Sequence, residues 1–159
     1  AVDNQSLCSQ KGFFEDKSQH EVFRRYLEEI YWSVTTFDDF DIVGHIGYIQ
    51  RYGNYVCKHM PYSEYSDILD AILTTVIRKG KAIEVNSSGY AYSVGGPIPG
   101  VDILTRYKEL GGHYLTLGSD SHKGIDVGQK FETTIKLVRS IGFNHITYFE
   151  RREPVMVSV

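Results

Sequence analysis

The chain has the length and composition of a single folded domain. It contains 159 residues, of which 42% are apolar and 23% charged, and its net charge is −3. This composition excludes a disordered chain, and the dispersed basic residues disfavour nucleic acid as the main partner. No apolar run reaches the length of about 20 residues that a membrane-spanning helix needs. Two cysteines, Cys8 and Cys57, are too few for a disulfide framework, which predicts reduced thiols and a cytoplasmic location.

Helical and strand-like segments alternate along the sequence. Four segments carry apolar residues at the spacing of an amphipathic helix: 18–37, 62–79, 101–110 and 127–141. Four short apolar runs predict strands: 41–46, 82–85, 114–117 and 145–149. Ser18 and Glu21 form a predicted capping box at the start of the first helix. In the final segment, M-V-S-V is compatible with an edge strand.

This alternation predicts an α/β fold built from βα units around a parallel sheet. Two architectures fit the pattern: an open doubly wound sheet, or part of a β/α barrel. Both place functional residues at the carboxyl ends of the strands.

Three successive predicted strands end in polar residues. The first ends near His45, the second at Asn86, Ser87 and Ser88, and the third at Asp120 and His122. Imidazole and carboxylate groups bind divalent cations such as zinc, manganese or iron. We therefore expect His45, Asp120 and His122 to be metal ligands. The alternatives are a core histidine at 45, a helix cap at 120 and a solvent-exposed histidine at 122.

Two further residues are candidates near these strand ends. Arg51 follows His45 in G-Y-I-Q-R-Y-G-N-Y, and its guanidinium is suited to phosphate or carboxylate. The alternative is an ion pair with a surface acid. Glu84 lies inside the second strand, where a structural role with an Arg or Lys partner is favoured over a catalytic one.

The remaining histidines are not expected to be ligands. His113 and His145 precede strands and therefore lie at the opposite end from the predicted site, while His20 and His59 belong to a charged helix face and a loop.

Several of these segments resemble one protein family. G-S-D-S-H after a strand, G-H-I upstream and K-A-I-E-V-N-S-S-G between them resemble the carboxyl-terminal part of the polymerase-and-histidinol-phosphatase (PHP) superfamily. F-D-I-V-G-H-I-G-Y-I-Q-R-Y-G and G-K-A-I-E-V-N-S-S-G are similar to its histidinol-phosphatase branch. The similarity extends over residues 2–149. It implies a distorted, TIM-like β/α barrel of about seven strands.

The resemblance also implies an activity and a set of roles. The family hydrolyses phosphate monoesters with a cluster of up to roughly three divalent metal ions. His45, Asp120 and His122 match ligand positions of its motifs, and the last two carry the catalytic site. Arg51, Asn86 and Ser87 lie where substrate contacts are expected. The implied substrate is histidinol phosphate, a small phosphorylated intermediate of histidine biosynthesis.

Two alternatives to this function stay open. One is another PHP phosphoesterase that acts on nucleotides or nucleic-acid ends. The other is a non-catalytic interaction module with a degenerate site.

The chain departs from the family pattern in what it lacks. The family begins with an H-x-H motif and further His and Glu ligands, which do not occur here, and Gly47 stands where relatives often carry Asp. A β/α barrel usually needs about 250 residues. We therefore expect residues 1–159 to be the carboxyl-terminal part of a single PHP-type metallophosphoesterase domain. Such a part should bind metal weakly, have little activity alone and self-associate through the open barrel edge.

Overall fold

A three-stranded parallel sheet forms the centre of the structure. A computed structural model describes residues 12–92 and 94–159, so the expectations for Cys8 and for the first residues of the chain lie outside the described part. The strands are β1 (Ile42–Val43), β2 (Ala82–Asn86) and β3 (Leu115–Gly118), in the order β1-β2-β3. Ile42 pairs with Ala82, and Ile83 pairs with Leu115. The predicted α/β fold with parallel strands is confirmed, and the sheet does not close on itself within the described residues.

The described residues form four α-helices between and beside these strands: α1 (Gln19–Thr36), α2 (Ser66–Arg78), α3 (Val101–Glu109) and α4 (Phe131–Ile141). Short 3-10 helices cover Tyr48–Arg51, Tyr62–Glu64, Ser87–Ala91 and Gly124–Asp126. The predicted capping box is confirmed, since Glu21 Oε2 accepts the N–H of Ser18 at 2.8 Å and Ser18 Oγ accepts the N–H of Glu21 at 3.3 Å. No helix in the described part of the chain is long and apolar enough to cross a membrane.

The two faces of β2 have different surroundings. Ile83 and Val85 are fully buried and belong to the hydrophobic core, which also contains the inner faces of α1, α2 and α3. Side chains alternate along a strand, so Glu84 and Asn86 project from the opposite face. Glu84 is paired in register with Thr116, and Asn86 with Gly118. The polar residues of β2 therefore share one face with the end of β3.

The end of the chain differs from the predicted pattern. β4 (His145–Glu150) packs beside β3 but pairs antiparallel with β5 (Glu153–Ser158), in a separate two-stranded sheet. The expectation of a fourth strand in a parallel βα series is thus wrong, whereas the proposed pairing of M-V-S-V is confirmed. Arg151 and Arg152 form the two-residue turn, with φ values of 51° and 70°. Two left-handed residues produce the tight turn that hairpins favour.

Candidate active site at the strand ends

The turn after β1 places His45 in an unusual backbone conformation. Its φ is 29°, a left-handed value that is rare for residues other than glycine. The buried hydroxyl of Tyr26 holds this turn, because it donates to the carbonyl of His45 at 3.4 Å and accepts the N–H of Gly47 at 3.3 Å. Burial raises the pKa of Tyr26 to about 12. Gly47 itself has a φ of 107°, which explains why this position suits glycine.

The imidazole of His45 is partly buried, and one of its ring nitrogens is buried without a hydrogen-bond partner in the described residues. The ring stacks on Tyr48, with 4.6 Å between centroids and 30° between planes. Its Nδ1 is buried and has no hydrogen-bond partner among the described residues. An imidazole nitrogen without a hydrogen-bond partner is available to a metal ion. This state fits the predicted ligand better than a core histidine bonded to backbone.

Arg51 joins the loops that follow the three strands. Its Nη1 lies 2.6 Å from Asp120 Oδ2, and its Nη2 donates to Ser88 Oγ. The arginine side chain is only 6% exposed, and that of Asp120 is 28% exposed. The rings of Tyr48 and Tyr92 lie 4.5 and 4.4 Å from the guanidinium carbon. The acid that pairs with Arg51 is therefore Asp120, one of the residues predicted to bind metal.

The turn after β2 is held by its own side chains. Asn86 Oδ1 accepts the N–H of Ser88 at 3.0 Å and also the Ser88 hydroxyl. Ser87 Oγ donates to the carbonyl of Gln129 at 2.7 Å. All three residues at this turn are buried. Of the two serines, Ser88 rather than Ser87 contacts the guanidinium of Arg51.

The loop after β3 carries the other two predicted ligands. Asp120 has a φ of 50° and does not cap a helix, since Lys123 and Lys130 occupy the cap positions that follow. His122 is exposed, and it forms no hydrogen bond within the described part of the chain. His45 and Asp120 thus both occupy strained backbone conformations, which cluster at functional sites.

The described side chains supply metal-binding donors but not a full set of ligands. In residues 12–92 and 94–159, no group of three or more His, Cys, Asp or Glu side chains is arranged to hold a metal ion. The chemistry of the unpartnered His45 nitrogen and the Asp120 carboxylate nevertheless fits zinc, manganese or iron.

Two residues of the site carried little signal in the sequence. Glu84 was expected to have an Arg or Lys partner, but its Oε2 accepts the backbone N–H of His45 at 2.8 Å and the amide of Asn86 at 3.2 Å. Strand alternation could have placed it beside Asn86. Tyr92 is one of twelve tyrosines, and nothing in the sequence marks it as a neighbour of Arg51.

Comparisons with known proteins relate the chain to histidinol-phosphatases. A probable histidinol-phosphatase of Clostridium acetobutylicum is 30% identical over 145 residues, which cover 90% of this chain and 55% of that protein. The histidinol-phosphatase of Lactococcus lactis is 31% identical over 144 residues, which cover 86% of this chain and 51% of that protein. The chain spans about half the length of these curated relatives.

A solved structure has the same fold. It is the crystal structure of histidinol phosphate phosphatase from Lactococcus lactis, complexed with zinc, L-histidinol and phosphate. The TM-score is 0.78 at 27% sequence identity, and the match covers 90% of this chain and 54% of that one. The PHP domain family matches residues 3–88, more than half of the 159 residues. The protein therefore belongs to the PHP domain family.

Proposed function

We propose that residues 1–159 form the carboxyl-terminal part of a PHP-type metallophosphoesterase domain that hydrolyses a phosphate monoester, with histidinol phosphate as the substrate. The observation that carries the proposal is the buried guanidinium of Arg51, which lies between Asp120 and Ser88 where the parallel strands end. The relatives are named histidinol-phosphatases, and the Lactococcus lactis structure is described with zinc, L-histidinol and phosphate. In this proposal the open sheet is one section of a distorted barrel of about seven strands.

His45, Asp120 and His122 would contribute ligands to a divalent metal centre. A bound ion of this kind lowers the pKa of a water molecule and polarises a phosphate oxygen. Because Arg51 holds one oxygen of Asp120, the orientation of that carboxylate is fixed while its second oxygen stays available. The imidazole of His122 is exposed, so its ring nitrogens are accessible to a metal ion at this site.

Arg51 is the group that would bind the phosphate of the substrate. The rings of Tyr48 and Tyr92 fix the plane of its guanidinium, and its Nε is buried without a hydrogen-bond partner in the described part of the chain. A planar guanidinium presents paired donors that match two phosphate oxygens. Asn86 and Ser87 form the buried turn beneath this group and are proposed as further substrate contacts.

An exchange of segments would test the activity. This chain would replace the matching half of the Lactococcus lactis enzyme, and release of inorganic phosphate from L-histidinol phosphate would be measured with Zn²⁺ or Mn²⁺. We expect turnover, and we expect Arg51→Gln to lower it by about a hundredfold, because a preorganised donor to phosphate is lost. Arg24→Gln is the matched control, since that arginine pairs with the exposed Asp67 on the helices.

Two results would contradict this assignment. A folded chimera without phosphatase activity would reject the reaction. Equal turnover of L-histidinol phosphate and simple alkyl phosphates would reject the substrate.

The isolated chain has its own expected behaviour. Since the described residues hold no group of three potential ligands, it should bind zinc weakly and release little phosphate. Robust turnover by this polypeptide alone would show that the site does not depend on further ligands.

A further inference from the structure

Glu84 is an acidic residue at the centre of the candidate site whose function the proposed reaction leaves unassigned. It projects from β2 on the face opposite the hydrophobic core, and its Oε2 accepts two hydrogen bonds. One comes from the backbone N–H of His45 at 2.8 Å, and the other from Asn86 Nδ2 at 3.2 Å. The carboxylate thus connects the end of β2 to the turn after β1.

The neighbouring strands leave space for this carboxylate. A Cβ on Gly118 would overlap Glu84 Oε1 and lie 2.6 Å from its Cδ. Gly118 does not have a left-handed φ, so its glycine is required by the approach of the carboxylate and not by the backbone conformation. On the other side, a Cβ on Gly44 would lie 3.7 Å from Oε2, an ordinary contact. The glycine of G-S-D-S-H therefore provides room for the glutamate of the neighbouring strand.

Glu84 has no ion-pair partner that would explain its position. No Lys or Arg in the described ranges lies within salt-bridge distance of it, and both donors to Oε2 are uncharged amides. The ion pair with Arg or Lys that was expected from the sequence therefore does not hold Glu84 in place. Glu84 instead accepts a hydrogen bond from the backbone of His45, whose φ of 29° is left-handed and whose ring nitrogen Nδ1 has no partner in the described residues.

We propose that Glu84 is a positioning residue for the metal centre. Its carboxylate fixes the backbone of His45 and packs against Gly118, the residue from which the loop to Asp120 starts. The inference rests on the proposed function, which makes His45 and Asp120 metal ligands. Hydrogen bonds that orient a ligand are known to contribute strongly to metal affinity. The negative charge also favours a cation nearby.

The first test compares Glu84→Ala and Glu84→Gln in the 159-residue chain. Zinc affinity is measured by calorimetry, thermal stability by circular dichroism, and amide exchange by NMR. We expect Glu84→Ala to weaken zinc binding by about tenfold and to accelerate exchange of the His45 amide. Glu84→Gln keeps an acceptor for that amide, so it should restore slow exchange. Glu109→Ala, which removes an exposed carboxylate on α3, is the matched control.

The second test uses the contact with Gly118. Gly118→Ala should accelerate exchange at His45 and lower the melting temperature in the wild-type chain, because the new Cβ displaces the carboxylate. The same substitution should have little further effect in the Glu84→Ala background, where the overlapping atoms are gone.

The outcomes separate this inference from the proposed function. Unchanged His45 exchange in Glu84→Ala would overturn the positioning role, as would a Gly118→Ala effect that is equally large in both backgrounds. If the wild-type chain binds no zinc, the expected weak binding by the isolated chain is wrong, and the two exchange measurements still decide whether Glu84 holds His45.

Discussion

The guanidinium of Arg51 and the carboxylate of Asp120 lie 2.6 Å apart, although 69 positions separate the two residues in the sequence. One residue belongs to the 3-10 helix after β1, and the other to the loop after β3. The side chain of Arg51 is 6% exposed, which makes it the least exposed basic side chain in the ion pairs of the described residues. The contact therefore brings together two loops that the parallel sheet alone only places on the same side.

Replacement of Arg51 should destabilise the fold. Arg51→Lys keeps the charge but loses the planar contacts to Ser88 and to the two tyrosine rings. We expect the free energy of unfolding in urea to fall by about 2 kcal/mol. Arg24→Lys alters an exposed pair with Asp67 and should change the free energy of unfolding by about 0.5 kcal/mol or less. Equal effects of the two substitutions would show that the buried pair contributes no more than a surface one.

Tyr26→Phe should destabilise the turn that carries His45. The substitution leaves the buried N–H of Gly47 without its acceptor, which costs about 1–3 kcal/mol. We expect this loss in urea unfolding at neutral pH. Tyr148→Phe, at an exposed position of the hairpin, should leave stability unchanged.

The stability of the protein at alkaline pH should depend on the hydroxyl of Tyr26. Burial raises the pKa of Tyr26 to about 12, above its ordinary value near 10. The neutral phenol is thus favoured in the folded state, so its contribution is complete below about pH 10 and is lost as the pH rises towards 12. Tyr26→Phe should reduce the loss of stability in this window. An identical pH profile for both proteins would contradict the assignment.

Zinc affinity should depend on the position of a histidine and not on the number of histidines. His45→Ala should weaken zinc binding by about tenfold or more, because an unpartnered ring nitrogen at the strand ends is lost. His113→Ala removes an exposed histidine that precedes β3 and should have no effect. Both variants would be titrated with zinc in a calorimeter, and a larger loss in His113→Ala would move the metal site elsewhere.

The free edge of β1 should cause self-association. Among the described strands β1 has a neighbour only on the β2 side, and its Ile42 is 42% exposed. Unpaired strand edges with apolar side chains favour contacts between chains. We expect light scattering to detect a mass that increases with protein concentration, and Ile42→Asp to suppress the increase. Ile125→Asp introduces the same charge on an exposed loop and should not; a stable monomer at high concentration would contradict the prediction.

The sequence-based predictions were accurate where the interactions join residues that are close together in the sequence. The capping box of α1 and the strands β2 and β3 follow from local signals and agree with the structure. β1 is shorter than predicted because the chain turns at His45, and α4 begins at Phe131 because Lys130 has a φ of 63°. M-V-S-V was expected to form an edge strand, but its antiparallel pairing with β4 was not predicted, because the turn consists of two arginines without the usual Gly or Asn signal.

The same limit applies to the candidate site. The rule that polar residues follow parallel strands predicts His45, Asp120 and His122 as ligands, and this assignment stays a prediction. The pairing of Arg51 with Asp120 and the contact of Glu84 with His45 join distant segments, so no local pattern could reveal them. Gly118 follows the predicted third strand in the sequence, but its need for space depends on Glu84 in the neighbouring strand.

The β4–β5 hairpin contacts the residues just before β1 through ion pairs. Arg152 forms ion pairs with Asp39 and Asp41, the latter 111 positions away, just before β1. Contacts of such long sequence separation form late, because the loops they close are large. The ion pairs between the hairpin and the residues before β1 can therefore form only after nearly the whole segment has been synthesised. The capping box of α1, in contrast, joins Ser18 and Glu21, which are only three positions apart.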